Sequence, residues 1–80
     1  MGGKSDVTKL VRMANQIAVN FDYSPDRSIA VAGVLDHLTR FWTLDMKHEI
    51  VAYHRAGNSG LNEIAAEAVF KLGESYGAVA

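Results

Sequence analysis

Gly33-Val-Leu-Asp-His-Leu-Thr-Arg-Phe-Trp-Thr-Leu-Asp-Met46 ends one strongly apolar helical segment and begins another, and it holds the only tryptophan of the chain beside a phenylalanine. Val34, Leu35, Leu38 and Phe41 recur at the three- and four-residue steps of a helix. Thr43 can then cap a new helix, its hydroxyl accepting an N–H that the first turn leaves unsatisfied. Adjacent helical positions point about 100° apart, so Phe41 and Trp42 cannot easily serve one narrow apolar stripe. One ring is expected near the surface, where tryptophan is enriched at partner-binding sites.

Outward from this corner the helical period continues. Val7, Leu10, Ala14, Ile17 and Phe21 form a stripe widened by Val11, Met13 and Ala18, with Ser5 or Asp6 as its cap. Asn20 to Pro25 breaks that helix, and Pro25 at a first helical position with Ser24 as N-cap predicts a second helix over about 25–41. Ile29, Val31, Ala32, Val34, Leu35, Leu38 and Phe41 cover most of its circumference, which predicts a central helix packed on several neighbours. Asp26, Arg27, Asp36, His37 and Arg40 are left for its wet side, with Asp36 and Arg40 spaced to pair. Gly33 weakens this helix by about 1 kcal/mol relative to alanine, so a close approach of another helix is expected there.

A third helix carries Met46, Ile50, Val51 and Tyr53, with Lys47, His48 and Glu49 toward water. His54 and Arg55 lie in its last turn, where positive charge suits the carbonyl end. Gly57 is the natural residue to follow it, and Gly57-Asn-Ser-Gly60 is a turn. The fourth helix starts near Leu61 or Asn62, buries Leu61, Ile64, Ala65, Ala68, Val69 and Leu72, and is expected to stop at Gly73. No segment alternates with period two. The expectation is a compact all-α single domain of four short helices over residues 1–80, with an ordered core of about 6–72 and flexible residues at 1–4 and 74–80.

The same composition removes most chemistry. The chain has no cysteine, which excludes thiolate catalysis, cysteine-held iron–sulfur clusters and cysteine-based zinc sites. His37, His48 and His54 show no i,i+4 pair that would grip a metal. The carboxylates are spread over all four helices, and Glu63 and Glu67, which share a face, read as solvated charges. The Gly57–Gly60 turn lacks the lysine and preceding strand of a phosphate loop. An acyl carrier would need an Asp-Ser-Leu tripeptide, which is absent. A DNA-reading helix over 61–72 would turn Glu63 and Glu67 toward phosphates. With a net charge of −1 and scattered basic residues, nucleic acid is not an expected partner. No apolar run approaches a membrane span, and the first residues lack the apolar stretch of a secretory signal. A soluble, cytoplasmic chain is expected, with no catalytic, cofactor-binding or metal-binding residue.

Two readings of the corner stand. Phe41, Trp42 and Met46 can simply close the domain's own core where the second and third helices meet. Alternatively, His37, Arg40, Phe41, Trp42, Met46 and Lys47 form a partner-binding patch, built from the aromatic, methionine and arginine residues enriched at interfaces. On that second reading Trp42 is expected to be the ring that faces the partner.

The blocks Leu10-Val-Arg-Met-Ala-Asn-Gln-Ile17, Ala30-Val-Ala-Gly-Val-Leu-Asp-His-Leu-Thr-Arg-Phe-Trp42, Met46, Ala56-Gly57 and Gly60-Leu61 resemble the delta subunit of NAD-dependent formate dehydrogenases, in order and over most of residues 9–68. Leu44 stands where that family often has proline, and Asp45 where a basic residue is common. The resemblance implies a small non-catalytic accessory subunit of a cytoplasmic complex, bound to the catalytic alpha subunit and supporting assembly or stability. It further implies that other subunits hold the molybdenum or tungsten pterin, the iron–sulfur clusters, the FMN and the NAD site. The competing class is a free-standing helical interaction or regulatory domain unrelated to formate oxidation.

Overall fold

The computed structural model describes residues 7–22 and 25–77. They form four helices, α1 (Val7–Phe21), α2 (Arg27–Phe41), α3 (Leu44–Arg55) and α4 (Glu63–Gly77), and no strand occurs among the described residues. α1 and α4 touch each other and both remaining helices, whereas α2 and α3 pack on that pair and scarcely on one another.

The core follows the sequence periods closely. α1 buries Leu10, Val11, Ala14 and Ala18, with Met13, Ile17 and Phe21 half-covered at the flanks. α4 contributes Ala65, Ala68, Val69 and Leu72, of which the two alanines are too small to hold neighbouring helices away. α2 and α3 add Val31, Val34, Leu38, Ile50 and Val51. Burial of this set supplies the main stabilisation at roughly 25 cal/mol per Å² of apolar surface.

α2 is not the central helix that its apolar circumference predicts. Ile29 is 60% exposed and Ala32 lies on the same open side, so only one face of α2 meets α1 and α4. Its start also differs from the expectation of Ser24 and Pro25. The first helical residue is Arg27, and the N-cap is Asp26, whose carboxylate accepts the Ser28 backbone N–H at 3.0 Å and the Ser28 hydroxyl at 2.7 Å. Ser24 lies outside the described residues, as do Ser5 and Asp6, the expected cap of α1. The Ser28 side-chain bond first, and its backbone bond second, hold the Asp26 carboxyl below its ordinary pKa. Ionised Asp26 therefore fits the N-terminal end of α2.

Thr43 caps α3 as expected, its hydroxyl accepting the Met46 N–H at 3.2 Å. At the other end Gly57 adopts φ +90°, the left-handed conformation that a side chain disfavours, and so turns the chain out of α3. Asn62 caps α4, accepting the Ala65 N–H at 2.8 Å. α4 does not stop at Gly73 but continues to Gly77; residues 78–80 lie outside the described part. At Gly33 the close approach is made by a side chain of α1 rather than by a helix backbone. A Cβ there would sit 2.6 Å from two ring atoms of Phe21, so the bare glycine seats that ring.

Long-range polar contacts set the helices in register. Arg27 at the start of α2 meets Glu63 at 3.0 Å and Glu67 at 3.1 Å, so α2 and α4 begin side by side. Glu63 and Glu67 are thus paired carboxylates rather than merely solvated ones. Exposure of all three side chains limits this network to about 1 kcal/mol per pair or less. Asn15 ties the middle of α1 to the turn before α4, donating to the Gly60 carbonyl at 2.9 Å and accepting the Asn62 N–H at 2.8 Å.

Candidate functional site

The corner between α2 and α3 separates its two rings completely. Trp42 is 6% exposed and belongs to the core, while Phe41 is 69% exposed. The expectation that Trp42 is the outward ring is therefore reversed. Its cause is local: α2 ends at Phe41, and Trp42 is already extended at φ −86°, ψ 144°, its N–H donating to the Leu38 carbonyl at 3.1 Å. A helical spacing of 100° does not govern a residue that has left the helix. The extended backbone goes with a buried indole, and Phe41, still on the last turn of α2, is left exposed.

The remaining corner residues divide into support and surface. Met46 is half-buried against the core. The Lys47 ammonium donates to the Thr39 carbonyl at 3.1 Å, satisfying an end of α2 that lacks its own hydrogen-bond partners and favours positive charge. Arg40 pairs with Asp36 at 3.1 Å, one turn earlier and on the surface. The His37 ring lies 4.9 Å from that of Phe41 at 50°, limiting the freedom of the exposed ring. Beyond the turn Leu44 is 58% exposed. Leu44 is thus a second exposed apolar side chain at this turn, outside the patch that the sequence predicts. Its signal was its place directly after the Thr43 cap, before the buried stripe of α3 begins.

His37, Arg40, Phe41 and Lys47 are thus brought to one accessible corner, and Trp42 and Met46 lie beneath it. Among the described residues no three His, Asp or Glu side chains converge as a metal site, and no helix is long and apolar enough to cross a membrane. His48 and Glu49 add no such cluster. Glu49 is half-buried, with its Oε1 buried and without a hydrogen-bond partner among the described residues, contrary to its expected place in water.

Fold and corner define a small four-helix protein whose most distinctive surface is an exposed aromatic–aliphatic corner fixed from below by a buried indole. The sequence matches, over residues 9–69, the family described as NADH-dependant formate dehydrogenase delta subunit FdsD, and the chain belongs to that family. No curated protein and no solved structure matches the chain.

Proposed function

We propose that this chain is a non-catalytic accessory subunit of a cytoplasmic NADH-dependent formate dehydrogenase, binding the catalytic subunit and supporting assembly or stability of the active complex. Membership of the delta-subunit family supports the choice of complex. The observation that carries the binding role is Phe41, a large ring left 69% exposed at a corner whose backbone is held by Thr43, Lys47 and Trp42. An exposed aromatic on a rigid support loses little conformational freedom on docking, which is what makes such residues effective at interfaces.

In this reading Phe41 and Leu44 enter the partner, and His37, Arg40 and Lys47 form the polar rim. Trp42 and Met46 act from beneath by fixing the angle between α2 and α3. The pterin metal centre, iron–sulfur clusters, FMN and NAD belong to the other subunits, and this chain holds no redox group.

Co-expression of the tagged chain with the full set of formate dehydrogenase subunits tests the assignment. Stoichiometric co-elution with the catalytic subunit is expected, together with a loss of assembled enzyme when the chain is omitted. Elution of the tagged chain alone would contradict the reading and favour a free-standing interaction domain.

A further inference from the structure

Where the carbonyl end of α1 meets the amino end of α4, a cleft of about 260 Å³ is lined by Ala18, Val19, Asp22, Asn62, Glu63 and Ile64. Its apolar wall is open to solvent, with Val19 58% exposed and Ile64 half-buried.

The charges around this cleft do not balance. Asp22 and Glu63 line it, and Glu67 stands one turn further along α4. Among the described residues only Arg27 answers them, shared between Glu63 at 3.0 Å and Glu67 at 3.1 Å. Asp22 meets no cation, so three carboxylates on one guanidinium leave a surplus of two negative charges. Lys71, one turn past Glu67, pairs with none of them, and Lys9 and Arg12 lie in the other half of α1. The two helix ends offset one another, α1 by its carbonyls and α4 by its amides, so the formal charges decide. Asp22 also stands at the wrong end of its helix. The carbonyl end favours cations, yet α1 has no basic residue in its last turn and Asp22 follows it directly. The Asn62 amide is already engaged at both atoms, its Oδ1 accepting the Ala65 N–H at 2.8 Å and its Nδ2 donating to the Asn15 carbonyl at 3.4 Å. The side-chain capacity left in the cleft is therefore acceptor only.

We infer that this cleft is a second docking site, taking a lysine or arginine side chain of a partner protein, with the cationic head against Asp22 and Glu63 and the aliphatic stem along Ala18, Val19 and Ile64. Basic side chains suit such a place because they lay their methylenes on apolar surface while the head stays wet. A cation arriving there supplies the positive charge that the end of α1 lacks and that no residue of this chain provides. The site stands independently of the Phe41 corner; only the identity of the partner rests on the subunit reading.

Two measurements decide it. In the full chain, titration with hexylammonium followed by amide NMR should shift Val19, Asp22 and Ile64, whereas 1-hexanol should shift them far less. Asp22→Asn should weaken hexylammonium binding by roughly threefold, and Asp22→Glu should retain most of it. The Tm of Asp22→Asn should equal or exceed that of wild type, because a carboxylate has left the carbonyl end of α1. Equal response to the alcohol, or wild-type affinity in Asp22→Asn, overturns the inference. In the co-expressed complex, a photo-crosslinking residue at position 19 should capture a segment of another subunit that contains Lys or Arg. Replacing that basic residue by Gln should weaken retention non-additively with Asp22→Asn. Assembly without such a crosslink, or additive losses, also overturns it. Failure of the wild-type chain to assemble would instead refute the subunit assignment, leaving the hexylammonium titration to decide the cleft.

Discussion

Asn15, midway along α1, accepts the backbone N–H of Asn62 at 2.8 Å across the turn that leads into α4. The same side chain donates to the Gly60 carbonyl, and Asn62 in turn caps α4. One residue inside the Met-Ala-Asn-Gln-Ile block thus fixes where the fourth helix begins. Asn15→Ala should therefore lower stability by about 1–2 kcal/mol, from two lost hydrogen bonds at exposed sites. For a domain of this size that corresponds to a fall in Tm of several degrees, on the order of 4–8 °C per kcal/mol. A thermal melt followed by circular dichroism checks it; an unchanged Tm would show that the turn holds without Asn15.

Asp26 gives the fold an acid-sensitive cap. Its carboxyl has a lowered pKa in the folded protein because the ionised form accepts bonds from Ser28. The unfolded chain consequently binds the proton at higher pH than the folded one, so stability rises with pH through the acid range. The contribution is complete above the ordinary aspartate value of about 3.9 and is lost as pH falls through the lower folded value. Asp26→Ala should reduce stability near neutral pH and flatten the acid limb of the Tm-against-pH curve. A parallel curve for wild type and variant across that range would contradict this role.

Gly33 and Phe21 should be coupled. In isolation Gly33→Ala ought to strengthen α2 by up to about 1 kcal/mol through helix propensity. Instead the new Cβ meets the Phe21 ring, and the expected outcome is no gain or a net loss. Once Phe21→Ala has removed the ring, Gly33→Ala should become stabilising. Denaturant unfolding of the four members of this double-mutant cycle measures the coupling; additive effects would mean that the ring moves aside freely.

Trp42→Ala separates the support from the surface. Removing a buried indole costs about 3–5 kcal/mol, comparable with the whole stability of a small domain. Large loss of helicity or a steep fall in Tm is expected, with Phe41→Ser retaining the wild-type circular dichroism spectrum. Retention of a near-wild-type melt by Trp42→Ala would place the indole outside the core.

The packing of α1 and α4 was legible because their apolar residues recur at helical steps that tertiary contacts reinforce, as Leu10, Ala14, Ala18, Ala65, Ala68 and Leu72 show. The Thr43 cap and the Gly57 exit were legible for the same local reason, since both act within a few residues. Asp26 displaced the expected start of α2 because Ser28 supplies its carboxylate with two donors, a pairing that the proline rule does not contain. Gly73 read as a stop because a glycine in sequence does not reveal that Arg55, eighteen residues earlier, packs against it. The corner itself was found from Phe41 and Trp42 standing together, but which ring faces outward depended on the extended backbone that Trp42 adopts directly after α2 ends at Phe41. The Arg27 bridge to Glu63 and Glu67 spans about half the chain, beyond any local pattern.

In the proposed function the exposed face of this corner docks onto the catalytic subunit of formate dehydrogenase. Its most direct test is quantitative co-purification of tagged wild type, Phe41→Ser and Phe41→Ser/Leu44→Ser with that subunit, after each variant is shown to keep its helicity and Tm. Loss of a buried aromatic anchor at an interface costs at least about 2 kcal/mol, so retention should fall by roughly thirtyfold or more for the double variant. Recovery of the catalytic subunit at the wild-type level with a folded double variant would contradict the account.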